Sequence, residues 1–192
     1  APRRWRTYCA WAPPLAWVEE GPPLLYCTGA RTPTVVISRA AADLLDDAEL
    51  RGALAHELAH LERRDPALSW ALMGARALMW FNPGLQVLVR AVARDAERMA
   101  DERAAAATGD RLALASGLLK LFRATEGRAV AGNPGGFPLS AAMAEPIARA
   151  RAHDIELRCR ALLAPPPTAL VLGRTRFAAL AVGLGLLLFF VV

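Results

Sequence analysis

The sequence predicts a mainly α-helical protein with a small β-hairpin or sheet, followed by a C-terminal transmembrane helix. Three observations carry this reading. Helix-start and helix-stop residues recur between apolar stretches from Ser38 to Pro167. Two short apolar runs, Leu24–Cys27 and Thr34–Ser38, flank the turn-forming Thr28-Gly29-Ala30-Arg31-Thr32-Pro33 and read as a hairpin. The last sixteen residues, Phe177–Val192, are apolar and carry no charge.

The elements follow in order. Residues 1–23 set Arg3, Arg4 and Arg6 among Trp5, Trp11 and Trp17, which suits a membrane interface or a tail packed on the domain. After the hairpin, Ser38 caps a short helix to Leu45. Asp46 or Asp47 then caps a helix running to about Arg64. Asp65-Pro66 breaks it and starts another. Ala67–Phe81 is apolar apart from Ser69 and Arg76, and reads as either a buried hairpin helix or a membrane-embedded one. Asn82-Pro83 opens a helix to about Ala107, closed by Gly109. Asp110 caps the next, through roughly Thr125. The Gly-, Asn- and Pro-bearing residues 127–138 form a loop, and Ser140–Leu163 is helical until Pro165-Pro166-Pro167. Phe177–Val192 would measure about 24 Å as a helix against a bilayer core of about 30 Å, a truncated or short span. Arg174 and Arg176 at its start place residues 1–173 on the cytoplasmic side.

Composition narrows the class. The chain of 192 residues is 55% hydrophobic with a formal net charge of +5, and Lys120 is its only lysine. Mean hydropathy is +0.26. The arginines lie beside apolar segments rather than in a solvated stripe, which favours a lipid bilayer over nucleic acid as the partner. Cys9, Cys27 and Cys159 are odd in number and widely spaced, so they give neither a disulfide framework nor a cysteine zinc site. The chain starts without Met and stops inside an apolar run, which reads as cuts or processed ends, and no signal-peptide pattern is present.

The pattern H-E-x-x-H occurs at His56-Glu57-Leu58-Ala59-His60 and uses two of the three histidines. On a helix, positions four apart share a face, so two imidazoles can hold one Zn2+ while Glu57 reaches a water bound to it. Zinc lowers the pKa of that water and polarises a scissile carbonyl, and Glu57 takes the proton and passes it to the leaving amine. A catalytic zinc takes three protein ligands. Glu97 is the candidate third: in Glu97-Arg98-Met99-Ala100-Asp101 it lies one turn from Asp101, which can accept a histidine N–H and fix the ring. The competing reading is a solvated helix face paired to Arg94, Arg98 or Arg103. His153, and Arg151 or Arg158, could stabilise an oxyanion or simply lie at a helix surface. Tyr26 is a weaker candidate.

Taken in order, these residues resemble the integral-membrane gluzincin peptidases, and most closely the BlaR/MecR-type antirepressor peptidases, with HtpX-type membrane peptidases as relatives. The resemblance rests on Thr34–Ser38, Leu44–Leu50, the His56–His60 motif, Asp65 after Arg63-Arg64, Trp80-Phe81-Asn82-Pro83, and Glu97 with Asp101. It covers roughly residues 18–163. It implies an α+β minimal gluzincin domain over 24–167, between a juxtamembrane segment over 1–23 and a transmembrane segment over 168–192. It also implies His56, His60 and Glu97 as zinc ligands, Glu57 as catalyst and Asp101 behind the ligands, in a peptidase domain on the cytoplasmic side of the cell membrane. The expected substrate is a cytoplasmic protein or peptide, with a transcriptional repressor as the BlaR/MecR-type case. Quality control of membrane proteins is the HtpX-type case. A non-catalytic membrane scaffold is the third alternative, against which the intact His56, Glu57, His60 and Glu97 count.

Overall fold

The computed structural model describes residues 13–29, 32–131 and 138–164. Three strands, β1 (Leu15–Val18), β2 (Leu25–Thr28) and β3 (Thr34–Ser38), precede six helices. These are α1 (Arg39–Leu44), α2 (Asp47–Glu62), α3 (Asp65–Leu78), α4 (Pro83–Thr108), α5 (Arg111–Ala131) and α6 (Pro138–Leu163). The mainly helical class with a small sheet therefore holds.

The sheet has the order β1-β3-β2. The foreseen hairpin is present as β2 antiparallel to β3, with Leu25 opposite Ile37 and Thr28 opposite Thr34. The structure adds β1, which runs parallel to β3 from Leu15 opposite Val35 to Val18 opposite Ser38. That strand lies within the stretch read as juxtamembrane. Its four residues are too few to show a period, and Trp17 among arginines and tryptophans carries an interfacial pattern instead. β3 is central, and Val35, Val36, Ile37 and Ser38 are all buried.

Capping chemistry sets the helix boundaries. The Ser38 hydroxyl accepts from the Ala41 N–H at 3.1 Å and from the Leu24 N–H at 2.8 Å, tying α1 to the hairpin. Asp46 and Glu49 form a capping box on α2. Asn82 accepts from the Leu85 N–H at 3.2 Å at the start of α4. Gly109 ends α4 at φ 70, a left-handed conformation that suits glycine. Asp65 and Pro66 start α3 as expected, because proline is accommodated in a first turn. Two other boundaries differ from expectation. α5 runs on to Ala131 and α6 starts at Pro138, so both enter the expected 127–138 loop, whose residues 132–137 lie outside the described residues.

α2 lies at the centre. One core cluster, Val35, Leu54 and Leu61, joins it to the sheet, with Leu25, Cys27 and Leu50 packed around. A second, Ala104, Ala105, Leu114, Ala115 and Leu162, joins α4, α5 and α6, and Ala55 of α2 packs on it. Small residues let α2 and α5 approach closely: a Cβ on Gly52 would meet the Leu114 Cα at 3.2 Å, and one on Gly117 would meet the Glu49 Cβ at 3.2 Å. Among the described residues no helix is long and apolar enough to cross a membrane. The expected C-terminal transmembrane segment, residues 168–192, lies outside them.

Glu49 is a buried carboxylate at this crossing, 3% exposed. Ser116 Oγ donates to it at 2.6 Å, Lys120 Nζ at 2.7 Å and the Asp46 N–H at 3.0 Å. Burial opposes its charge, but Lys120, Ser116 and the Asp46 N–H outweigh burial and hold the carboxyl below its ordinary 4.5. A depressed native pKa stabilises the fold above the unfolded value and is lost as pH falls through the native one. Glu49→Gln should therefore cost about 1–3 kcal/mol at pH 7. The gap from the parent should narrow below about pH 4.5. Denaturant unfolding of both proteins across pH 3–7 checks this, and an equal gap at every pH would contradict it.

Candidate metal centre

The site is assembled by three helices. α2 presents His56, Glu57 and His60; α4 presents Glu97 and Asp101; α6 presents Arg158. His56 and His60 lie one turn apart and are each 8% exposed. Their rings meet edge-on with centroids 4.7 Å apart, and their Nε2 atoms are 3.1 Å apart. Glu97 Oε2 is 3.5 Å from His56 Nε2, and Glu97 Oε1 is 3.7 Å from His60 Nε2. One donor atom from each of the three residues lies within 4.8 Å of the others.

A carboxylate backs each ring. His60 Nδ1 is 2.8 Å from Asp65 Oδ2. His56 Nδ1 is 3.0 Å from Asp101 Oδ1, within ion-pair range but off the line of a good hydrogen bond, so this buried nitrogen is otherwise unpartnered. Asp101 Oδ1 is shared with Arg158 Nη2 at 2.7 Å, and Arg158 Nε reaches Asp101 Oδ2 at 2.7 Å, a bidentate pair. Arg158 Nη1 also lies 2.9 Å from Glu97 Oε2.

The donor set fits a divalent metal. With ring protons on Nδ1, toward the carboxylates, both Nε2 lone pairs and the Glu97 carboxylate face one point. Lone pairs so placed in a buried pocket repel unless a cation or proton lies among them. Electrostatics show the same demand. Burial pulls the His56 imidazole down, but Asp101, Glu97 and the charge of Glu57 overcome it and hold it up at about 9. Burial would raise the Asp101 carboxyl, yet Arg158 and His56 keep it low; burial, then His56 and Arg158, act the same way on Glu97. Glu57 goes the other way: burial raises its carboxyl, and the two histidines only partly offset this.

The centre opens into a cleft of about 570 Å³. Edge strand β2 lines one side. Leu114, Leu118, Leu121, Phe122 and Ile155 line an apolar wall, and Pro66, Ser69 and Trp70 of α3 stand at another side. Of the residues singled out from the sequence, His56, Glu57, His60, Glu97, Asp101 and Arg158 come together. His153 does not: it sits exposed on α6, 3.8 Å from Glu156 and away from the cleft. Arg151 is also exposed, and Tyr26 lies in β2 at the cleft, 45% exposed.

Two residues went unassigned from the sequence. Asp65 reaches His60 because Arg64 adopts a left-handed conformation, φ 58, that turns the chain back at once after α2. The signal was an aspartate five positions after His60, at a helix break. Cys27 packs toward α2 and lines the cleft with Glu57. Burial, then the Glu57 charge, pushes its thiol up to about 12. No spacing rule links β2 to α2, so the sequence held no signal for it.

The family model described as BlaR1 peptidase M56 matches residues 23–135, more than half of the chain. The chain belongs to that family, the BlaR/HtpX type of membrane metallopeptidase. A protease HtpX homolog of Acaryochloris marina is 32% identical over 55% of this chain and 47% of its own length. A protease HtpX homolog of Methanopyrus kandleri is 32% identical over 53% of this chain and 41% of its own. The chain thus spans less than half the length of these relatives. No solved structure matches it.

If Asp65 and Asp101 orient the two rings, Asp65→Ala and Asp101→Ala should each weaken metal binding about 10- to 100-fold. Chelator competition on variants with parent-like circular dichroism measures this. Parent-level affinity in both would mean that packing alone orients the imidazoles.

Proposed function

We propose that this protein is a membrane-anchored zinc endopeptidase in which His56, His60 and Glu97 hold the metal and Glu57 is the catalytic acid–base. The observation that supports this best is the convergence of three donor atoms in a cleft that also carries Glu57, outside the donor set, and a strand edge free among the described residues. Two imidazoles and one carboxylate form the donor set of a catalytic zinc with a position left open. Zinc, when bound, acidifies a coordinated water and polarises the carbonyl beside it.

The chain's own residues supply the rest. Among the described residues β2 pairs only with β3, and it lines the cleft, so its other edge can add an extended peptide as a further strand. The apolar wall of Leu118, Leu121, Phe122 and Ile155 then takes an apolar side chain of that peptide. Glu57, with its carboxyl pKa raised by burial, accepts a proton from the attacking water and returns it to the leaving amine. Asp65 and Asp101 hold the ring orientations. The Arg158 guanidinium, 14% exposed and beside Glu97, is placed to stabilise negative charge developing on the substrate oxygen.

The substrate class is a protein segment reached in extended form on the cytoplasmic side of the membrane. A transcriptional repressor is the specific candidate, by resemblance to BlaR/MecR-type proteins. The HtpX homologs among the relatives support a second reading, quality control of membrane proteins. Cleavage of many unrelated unfolded chains would favour that reading, and cleavage of one folded partner at one bond the first.

Glu57→Gln should retain the parent's zinc content and lose peptide hydrolysis by a factor of about 10² to 10⁴. His56→Ala and His60→Ala should lose both. The assay is zinc by elemental analysis beside hydrolysis of a quenched-fluorescence peptide library by the reconstituted chain. Undiminished hydrolysis by Glu57→Gln would remove Glu57 from the chemistry.

A further inference from the structure

Among the described residues, most of the exposed large apolar side chains belong to the hairpin of α3 and the start of α4. Trp70, Met73, Leu78, Trp80, Phe81 and Val87 are 60–79% exposed. So many exposed apolar side chains on one hairpin mark an interaction site. The tip is a formed turn: Trp80 and Phe81 meet edge-to-face at 6.2 Å, Asn82 caps α4, and Leu85 is 2% exposed beneath. From Ser69 to Leu78 only Leu72 and Ala75 are less than exposed, so α3 is bare over most of its circumference. A protein partner covers one face with a polar rim. A helix bare nearly all round suits a fluid apolar phase.

Charge selects the same partner. From Pro66 to Arg94 the chain has no Asp or Glu. Arg76 and Arg90 are exposed and form no ion pair among the described residues, while Arg94 lies 3.5 Å from Asp154. An aromatic tip with a wholly basic collar complements an anionic lipid surface. Length limits the depth. Fourteen residues of α3 reach about 21 Å against a bilayer core of about 30 Å. Arg76 stands roughly one helical turn from the tip and belongs at the phosphates.

We propose that the α3–α4 hairpin is an interfacial anchor: Trp80 and Phe81 sit at the headgroup–acyl boundary of one leaflet, and Arg76 and Arg90 contact anionic headgroups. This goes beyond the proposed function and does not rest on it. Because Pro66, Ser69 and Trp70 of α3 line the cleft, the anchor holds the cleft mouth at the bilayer surface, where it meets protein segments close to the membrane.

The test places a fluorescent amino acid at position 81 of the full chain by stop-codon suppression, which leaves the native cysteines alone. The protein is reconstituted in phosphatidylcholine–phosphatidylglycerol vesicles whose acyl chains are brominated near the headgroup or near the tail. Position 112, on α5 and 68% exposed, carries the same probe as a control. The proposal expects strong quenching at 81 by headgroup-end bromines, weaker quenching by tail-end bromines, and little at 112. Arg76→Glu should reduce the quenching at 81 several-fold. No quenching at 81 would show that water or protein covers the tip, and strongest quenching by tail-end bromines would show deep insertion; either overturns the proposal. Quenching at 81 unchanged by Arg76→Glu would overturn the role of anionic headgroups. Peptidase activity enters none of these readings, so failure here is distinct from failure of the zinc mechanism.

Discussion

Two imidazole lone pairs 3.1 Å apart in a buried pocket, faced by a carboxylate, are the constraint on which the rest of the structure depends. Such a pocket needs positive charge at its centre, and three helices are arranged around that need. α2 must turn its His56–His60 face to α4. It must also pack on the sheet through Leu54 and Leu61, and on α5 through Gly52 and Glu49. A helix in contact on three sides keeps only a narrow polar solvent face, here Asp47, Arg51 and Glu62. Small residues at the crossings, Gly52, Ala53, Ala59, Ala100 and Ala104, let the backbones approach closely enough.

Buried charge is managed by pairing throughout. Asp101 is 3% exposed and engages Arg158 and His56 together; Asp65 is 7% exposed and engages His60 and Arg63. Removing one partner would strand the other in a poor solvent for ions. These residues therefore act as a network, and their substitutions should not add simply. Arg158 is the link between α6 and the other two helices. Its guanidinium contacts carboxylates from α4 that also face His56.

Much of this was legible because local rules govern it. Asp46, Asn82, Gly109 and Ser38 mark boundaries through hydrogen bonds that span a few residues, and the helices begin or end where those residues stand. The four-residue spacing of His56 and His60 fixes a shared face, as does that of Glu97 and Asp101. What was not legible is non-local. β1 pairs with β3 about twenty residues away and shows no period of its own. Cys27 meets Glu57 only because β2 packs on α2. His153 and Arg158 lie on the same helix with similar surroundings in sequence, yet one is 66% exposed in its side chain and the other 14%. Only the packing of α6 on α4 separates them.

The central claim is that His56, His60 and Glu97 together hold one metal ion. Zinc per chain, measured on the purified full chain beside Glu97→Ala after zinc is supplied and the excess removed, tests it most directly. The account predicts one zinc in the parent and a clear loss in the variant. No zinc in the parent, or the same zinc in both, would contradict it.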